Sequence, residues 1–347
     1  MCGLCFFLLA KSIACAILWR TMSRKIADRE VSDVGLGCMG FSHAYGVAME
    51  RAEAVAMIRR AFDMGYTLFD TAECYTGYDA AGRDALNEEV VGEALQPIRD
   101  KVMLATKCGV QHLPGRRELR YSRPEVIRRS VEGSLRRLRT ECIDLYYQHR
   151  IDANVEPEVV AETMAELIRE GKIRHWGISE VGEEYLRRAH AVCPVAAIQN
   201  CYSMIYREDE TLFPVLEELG IAYVSYSPLA NGLLSAAFDM NFTDGEADHR
   251  TRMAQFKPAG LELCAELLDM LRRTAAEKDC TPGQLALAWM LCKKPWIIPI
   301  PGSRKEARLR ENFGAAQTLL SAAEIAALDA RLDAMDFLPI GGSARRA

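Results

Sequence analysis

Gly35-Leu36-Gly37-Cys38-Met39-Gly40 is the stretch on which the fold turns. It matches G-x-G-x-x-G, the glycine pattern of a dinucleotide-binding turn. That pattern works only where its third glycine opens a helix whose N-terminus meets a pyrophosphate, with an acidic residue about 20 positions further on. Here residues 41–49 read as loop, and the next acid at a strand end is Asp70, 30 residues past Gly40. A Rossmann domain is therefore the rival reading, and the rest of the chain weighs against it.

Outward from this stretch, short apolar runs alternate with amphipathic segments almost to the end. Strand-like runs occupy 33–39, 67–70, 102–106, 143–148, 173–179, 196–199, 222–226 and 296–300. Helical patterns occupy 52–64, 88–95, 124–139, 157–170, 182–191, 208–219, 261–278 and 305–313. Eight strand–helix units without a linker predict a single α/β domain over 22–347, a closed (β/α)8 TIM barrel. Ser122 is a candidate N-cap for the segment opening at Pro124, and Thr281-Pro282 opens an apolar segment at 285–291. Ser321-Ala322-Ala323-Glu324 is a capping box before an extra C-terminal helix. Residues 230–256 form the longest stretch without periodicity, and a loop of that length predicts a lid over a ligand.

Composition narrows the function. The chain has 347 residues, with 43 Lys+Arg against 48 Asp+Glu, a net charge of −5. A mildly acidic chain has no general attraction for nucleic acid or anionic lipid, so arginines such as Arg128, Arg129, Arg136 and Arg137 read as solvated surface. Twelve cysteines sit mostly inside apolar runs and read as small buried hydrophobes of a reducing, cytoplasmic compartment. Cys2 and Cys5 lack a second pair at zinc spacing, and His43, His112, His175, His190 and His249 show no ligand pairing, so no metal site is expected. Residues 1–21 are the most apolar stretch, interrupted by Lys11 and Ser12 too early for a membrane span. They read as an extension outside the fold, with Met22 as a natural start or a weak membrane anchor as the alternative.

The chemistry gathers at the C-terminal ends of consecutive strand-like runs, where barrel active sites lie. One run delivers Asp70 with Tyr75 on the following loop, the next delivers Lys107, and the next delivers His149. A free phenol with pKa ~10 is a reluctant acid at neutral pH, and a nearby ammonium such as Lys107 lowers that pKa. Asp70 can hold the ammonium, and a neutral His149 can hydrogen-bond a substrate oxygen.

Phe69-Asp70-Thr71-Ala72-Glu73-Cys74-Tyr75, Ala105-Thr106-Lys107 and Ile143-Asp144-Leu145-Tyr146-Tyr147-Gln148-His149 resemble the Asp/Tyr/Lys/His segments of the aldo-keto reductases. The resemblance continues in order through Gly177-Ile178-Ser179-Glu180, Gln199, Tyr226-Ser227-Pro228-Leu229 and Ile300-Pro301-Gly302-Ser303-Arg304, over roughly 26–334, and points to the monomeric, bacterial-like subgroup. It implies a NADP(H)-dependent oxidoreductase acting on a small aldehyde or ketone, with Asp70, Tyr75, Lys107 and His149 as the catalytic set.

A Gly/Ser turn feeding a helix N-terminus, followed by Arg304-Lys305-Glu306-Ala307-Arg308-Leu309-Arg310, suits an anion. The resemblance makes this the segment that grips the 2′-phosphate of NADPH and the adenine, through Ser303, Arg304, Arg308 and Asn312, with Gly302 also cofactor-binding. It implies Tyr226 stacking on the nicotinamide, Ser179 and Gln199 on its carboxamide, Met39 and Gly40 beside it, and Ser227, Leu229, Gly232 and Leu234 along the pyrophosphate. Glu180 stands where the family often has Asn, and 76–85 looks like an insertion that shapes substrate access. His43 and Tyr45 are candidates for the substrate mouth, and Cys74, Cys108 and Cys201 neighbour site residues as spacers or oxidisable thiols. A NADPH-binding sensor subunit resembling the potassium-channel β subunits is the alternative function. The physiological carbonyl and the oligomeric state are not legible in the sequence.

Overall fold

The computed structural model describes residues 24–113, 117–237, 248–337 and 340. The extension expected over 1–21 lies outside them. Eight parallel strands form one sheet: β1 (Leu36–Gly37), β2 (Leu68–Asp70), β3 (Met103–Cys108), β4 (Ile143–Gln148), β5 (Ile173–Ser179), β6 (Ala197–Cys201), β7 (Ala222–Tyr226) and β8 (Ile297–Pro299). Neighbours in sequence are neighbours in the sheet, from β1 to β8. The two edges meet where Gly35 N donates to Pro299 O at 3.0 Å, which closes the barrel.

That seam explains the misleading glycine pattern. A Cβ on Gly37 would lie 2.6 Å from the Ile300 carbonyl oxygen, and one on Gly302 would lie 2.4 Å from the Gly37 carbonyl oxygen. The glycines let β1 and the chain after β8 approach, and they are followed by a short 3-10 turn, Met39–Phe41, with no α-helix. The Rossmann reading ends there.

Among the described residues, ten α-helices surround the sheet: α1 (Arg51–Asp63), α2 (Asn87–Leu95), α3 (Pro124–Leu138), α4 (Pro157–Arg169), α5 (Glu183–Val192), α6 (Phe213–Leu219), α7 (Pro258–Glu277), α8 (Pro282–Lys293), α9 (Glu306–Gly314) and α10 (Ala322–Asp333). In α3 the stripe Ile127, Val131, Ser134 and Leu138 is buried against the strands, the 3.6-residue period read in the sequence. Ser122 does not cap it. The Arg123 position gives no side-chain cap, while Ser122 N donates to Asp152 Oδ2 (3.1 Å) and its hydroxyl accepts from Gln148 Nε2 (2.9 Å). Both other capping signals form as read: Thr281 with Gln284 opens α8, and Ser321 with Glu324 opens α10, the extra C-terminal helix.

The strand period of two decides what faces inward. Leu68, Met103, Ala105, Leu145, Tyr147, Ala197, Ala222, Val224 and Ile298 fill the barrel interior. The alternate residues Phe69, Leu104, Tyr146, Ile198 and Tyr223 pack outward under the helices. Continuing the inward parity by one step reaches Asp70, Lys107, His149, Gln199 and Tyr226.

The barrel floor was not visible in the sequence. A hairpin of Arg24–Ile26 and Arg29–Val31 plugs it, with Ile26 and Val31 joining the interior core. Buried Arg24 donates to the carbonyls of Leu291, Lys294, Pro295 and Ile297, sealing the end of α8. Nearby, the buried carboxylate of Asp144 at the start of β4 takes Arg29 (2.6 Å), Arg99 (2.6 Å), Arg174 (3.2 Å) and the amide of Leu104 (2.9 Å). Asp144→Ala strands three guanidiniums and a buried amide. It should lower unfolding free energy by about 3 kcal/mol in urea titrations, a figure reduced from the fully buried case because the arginines are partly solvated. An unchanged midpoint would show that the cluster does not hold the floor.

Candidate active site

Lys107 is fully buried near the end of β3, and each of its ammonium's three donors meets an acceptor. Nζ reaches Asp70 Oδ1 at 2.5 Å, the Thr71 carbonyl at 2.8 Å and the Tyr75 hydroxyl at 3.3 Å. Burial works against the ammonium's charge, yet Asp70 and Tyr75 raise its pKa above the ordinary value, so it stays protonated. The phenol of Tyr75 moves the other way from the sequence-based expectation. Loss of water pushes its pKa up, and the pull of Lys107 offsets this only in part. What the lysine does is hold the phenol's oxygen and oppose the cost of its ionisation.

Tyr75 itself is placed by neighbours. His43 stacks on its ring (centroids 5.7 Å, 16° between planes) and His149 meets it edge-on (5.7 Å, 83°). His43 is oriented by its Nδ1 bond to Thr76 O at 2.8 Å, so this candidate for the mouth lies directly against the phenol. His149 Nδ1 lies 3.4 Å from the Cys74 sulfur. Burial pushes the Cys74 thiol up to about 12, which removes the thiolate that ready oxidation needs.

The sequence reading passed over Asn87. Its backbone N–H donates to Tyr75 O (3.0 Å), and its amide donates to Cys38 O (3.0 Å) and Ser42 Oγ (2.7 Å) while accepting from Thr71 Oγ1 (2.6 Å). One side chain thus ties the loops after β1 and β2. The expected insertion at 76–85 is a hairpin, Thr76–Tyr78 against Asp84–Leu86, which returns the chain to Asn87.

Further round the mouth, Gln199 Nε2 donates to Asp70 Oδ2 at 2.7 Å, so this candidate carboxamide partner also braces the ion pair. Ser179 Oγ accepts from Arg150 Nη1 at 3.2 Å. The Tyr226 hydroxyl donates to Glu180 Oε1 at 2.9 Å, and the same oxygen accepts from Cys201 N at 3.1 Å. Glu180, the departure from the family pattern, therefore anchors the ring expected to stack on the nicotinamide.

Above β7 the backbone bends sharply. Ser227, Ala230 and Asn231 have φ of 50°, 48° and 60°, and Gly232 has 102°. Three non-glycine residues in the left-handed region cost of order 1 kcal/mol each, and such clusters are typical of ligand-binding turns. Leu229 and Leu234 belong to the same turn through Leu234 N to Leu229 O (3.2 Å). Of the lid expected over 230–256, residues 238–247 lie outside the described ones. The flanking chain crosses to the loop after β1 through a Tyr45–Asp248 bridge, and Asn231 donates to the Tyr45 hydroxyl at 3.1 Å. Tyr45 is a strut of this crossing more than a lining of the mouth.

The remaining candidates surround the start of α9. Ser303 Oγ accepts from Lys305 N (3.1 Å). Arg304 reaches back across the seam, Nε to Gly40 O at 2.5 Å and Nη1 to Val47 O at 2.8 Å, and its buried Nη2 has no partner among the described residues. Gly40, next to Met39 in the chain, is thus held to this region by Arg304. Arg308 pairs with Glu311 at 2.5 Å, Thr281 donates to the same carboxylate at 2.6 Å, and Asn312 is buried beside them. Glu311 is another residue the sequence reading missed. Thr281 and Glu311 line an open depression of about 650 Å³ between α8 and α9.

The family model described as the aldo/keto reductase family matches residues 33–333. The glycerol dehydrogenase AKR11B4 from Gluconobacter oxydans is 28% identical, with 91% of this chain and 96% of that one covered at TM-score 0.79. The aldo-keto reductase AKR11C1 from Bacillus halodurans, solved in its holo form, is 27% identical over 90% and 95% of the chains at TM-score 0.71. An aldo/keto reductase from Klebsiella pneumoniae, solved with NADP and acetate, is 27% identical over 94% and 97% at TM-score 0.67. No helix among the described residues is long and apolar enough to cross a membrane.

Proposed function

The chain belongs to the aldo/keto reductase family, and on that footing we propose that it reduces an aldehyde or ketone to the alcohol with NADPH. Tyr75 is the proton donor. The observation that carries the reading is the ammonium of Lys107 shared between Asp70 Oδ1 (2.5 Å) and the Tyr75 hydroxyl (3.3 Å) at the barrel mouth.

When bound, the nicotinamide would supply the hydride that adds to the carbonyl carbon and leave as its oxidised form. The carbonyl oxygen, gaining negative charge, takes the phenolic proton of Tyr75, and the C=O π bond becomes C–H and O–H. Lys107 opposes the cost of the phenolate left behind, and Asp70 with Gln199 keeps the ammonium in place. His149 beside the Tyr75 ring holds the carbonyl oxygen at a fixed angle. For the cofactor, the left-handed turn at 227–232 suits the pyrophosphate, and the orphaned Nη2 of Arg304 suits a phosphate oxygen.

A panel of carbonyls assayed with NADPH and NADH side by side tests the reading, and absence of turnover with every carbonyl would overturn it. Arg304→Ala should raise the NADPH dissociation constant by roughly 10- to 100-fold, as expected for losing a charged hydrogen bond to phosphate. The NADH constant should move by less than about threefold, since the loosened loop at 40–47 affects both cofactors alike. Equal losses would remove the 2′-phosphate assignment.

A further inference from the structure

Arg150 follows His149 directly and is half-buried at the mouth. Both of its bonds leave from one nitrogen: Nη1 donates to His149 O at 2.7 Å and to Ser179 Oγ at 3.2 Å. Among the described residues, Nε and Nη2 have no partner. Nor, among the described residues, does any carboxylate lie within 4 Å of this guanidinium, although Arg24, Arg99, Arg137 and Arg207, also withdrawn from solvent, each have one. Glu180, the carboxylate that acts most strongly on it, is engaged by the Tyr226 hydroxyl and Cys201 N. A partly desolvated guanidinium with acids near it but no direct ion pair leaves part of its hydrogen-bonding capacity unmet, which a ligand bringing an anion would fill.

The vacant edge has a definite shape. Nε–H and Nη2–H point the same way from a planar group and match the two oxygens of a carboxylate. Lys107, the other cation at the mouth, has all three donors engaged. Burial lowers the Arg150 pKa, but Tyr226, Glu180, Glu118 and the Tyr75 phenol outweigh it, so the guanidinium stays charged at the mouth.

We propose that Arg150 is a specificity-determining residue that binds the carboxylate of an oxo acid whose carbonyl lies between Tyr75 and His149. The proposal rests on the carbonyl-reductase reading above and narrows its substrate to small molecules bearing both a carbonyl and an acid group.

The test compares short ω-oxo acids with their methyl esters, which keep the chain and remove the charge, in the NADPH-supported assay. The wild type should prefer the acid in kcat/KM. Arg150→Gln should cut that acid-to-ester ratio roughly 10- to 100-fold, the effect of losing a charge-assisted pair. Arg150→Lys should restore only part of it, because an ammonium lacks the fork. The ester serves as the internal control for folding. An acid-to-ester ratio at or below one in the wild type, or one unchanged in Arg150→Gln, overturns the proposal and leaves carbonyl reduction standing. So does an Arg150→Gln protein that binds NADPH more weakly and loses both substrates equally, since the guanidinium would then serve the cofactor. If no carbonyl is turned over, the reductase reading falls, and butyrate against butyramide binding to the NADP-loaded protein, followed by fluorescence, decides Arg150 separately. Saturable butyrate binding that Arg150→Gln abolishes supports the carboxylate site, and its absence removes it.

Discussion

Tyr75→Phe should lower kcat for carbonyl reduction by roughly 10²- to 10⁴-fold, the range that a positioned proton donor contributes. The substitution removes one oxygen and little else. The ring keeps its stacking on His43 and its edge contact with His149, and the backbone keeps its bond from Asn87 N. Lys107 retains Asp70 and Thr71 as acceptors. Affinity for NADPH, read by fluorescence titration, should therefore stay within about twofold while single-turnover reduction collapses, the pattern of an interaction made in the transition state. A variant that still reduces the carbonyl at a comparable rate would move the acid role to another group, His149 first.

The reason this site could be read from sequence lies in strand parity. Once Leu68, Met103 and Leu145 are placed inside the barrel, the period of two carries Asp70, Lys107 and His149 to the inner face at the mouth. Tyr75 is different, since it sits on a loop. Its position depends on Asn87, a residue with no motif of its own, whose partners Cys38, Ser42 and Thr71 are distant in the chain. Glu311 and Arg24 were illegible for the same reason, because their partners are set by how helices and the floor hairpin dock. Ser122 shows the converse failure. A serine two residues before Pro124 fits the local grammar of a cap, but Asp152 and Gln148, brought up by the neighbouring strand end, claim it instead. The literal match at 35–40 misled for a related reason, in that close backbone approach at a barrel seam needs glycines as much as a pyrophosphate does. The direction of the Tyr75 shift also required the structure, since opposite charge and burial act against each other and only packing fixes their balance.

Lys107→Met should reduce kcat roughly 10²- to 10³-fold at neutral pH, comparable to removing one preorganised donor from a developing charge. The pH profile carries the sharper information. Reduction needs the phenol protonated, so its rate falls as pH rises through the Tyr75 pKa. Burial already holds that pKa above the ordinary value, and Lys107 is the group that pulls it down. Removing the ammonium should thus shift the alkaline limb to still higher pH while lowering the plateau, because a more basic phenolate is a costlier product of proton transfer. Oxidation of the alcohol, which needs the phenolate, should lose rate across the neutral range and recover only at alkaline pH. Asp70 responds too: without its cation, burial pushes the carboxyl up, and a proton on it removes the uncompensated charge. Gln199 remains as a hydrogen-bond partner, so the inner face stays polar but loses the field directed at Tyr75. A Lys107→Met protein that kept the wild-type alkaline limb at reduced height would mean that the lysine only props up the site, and the electrostatic role assigned to it would be withdrawn.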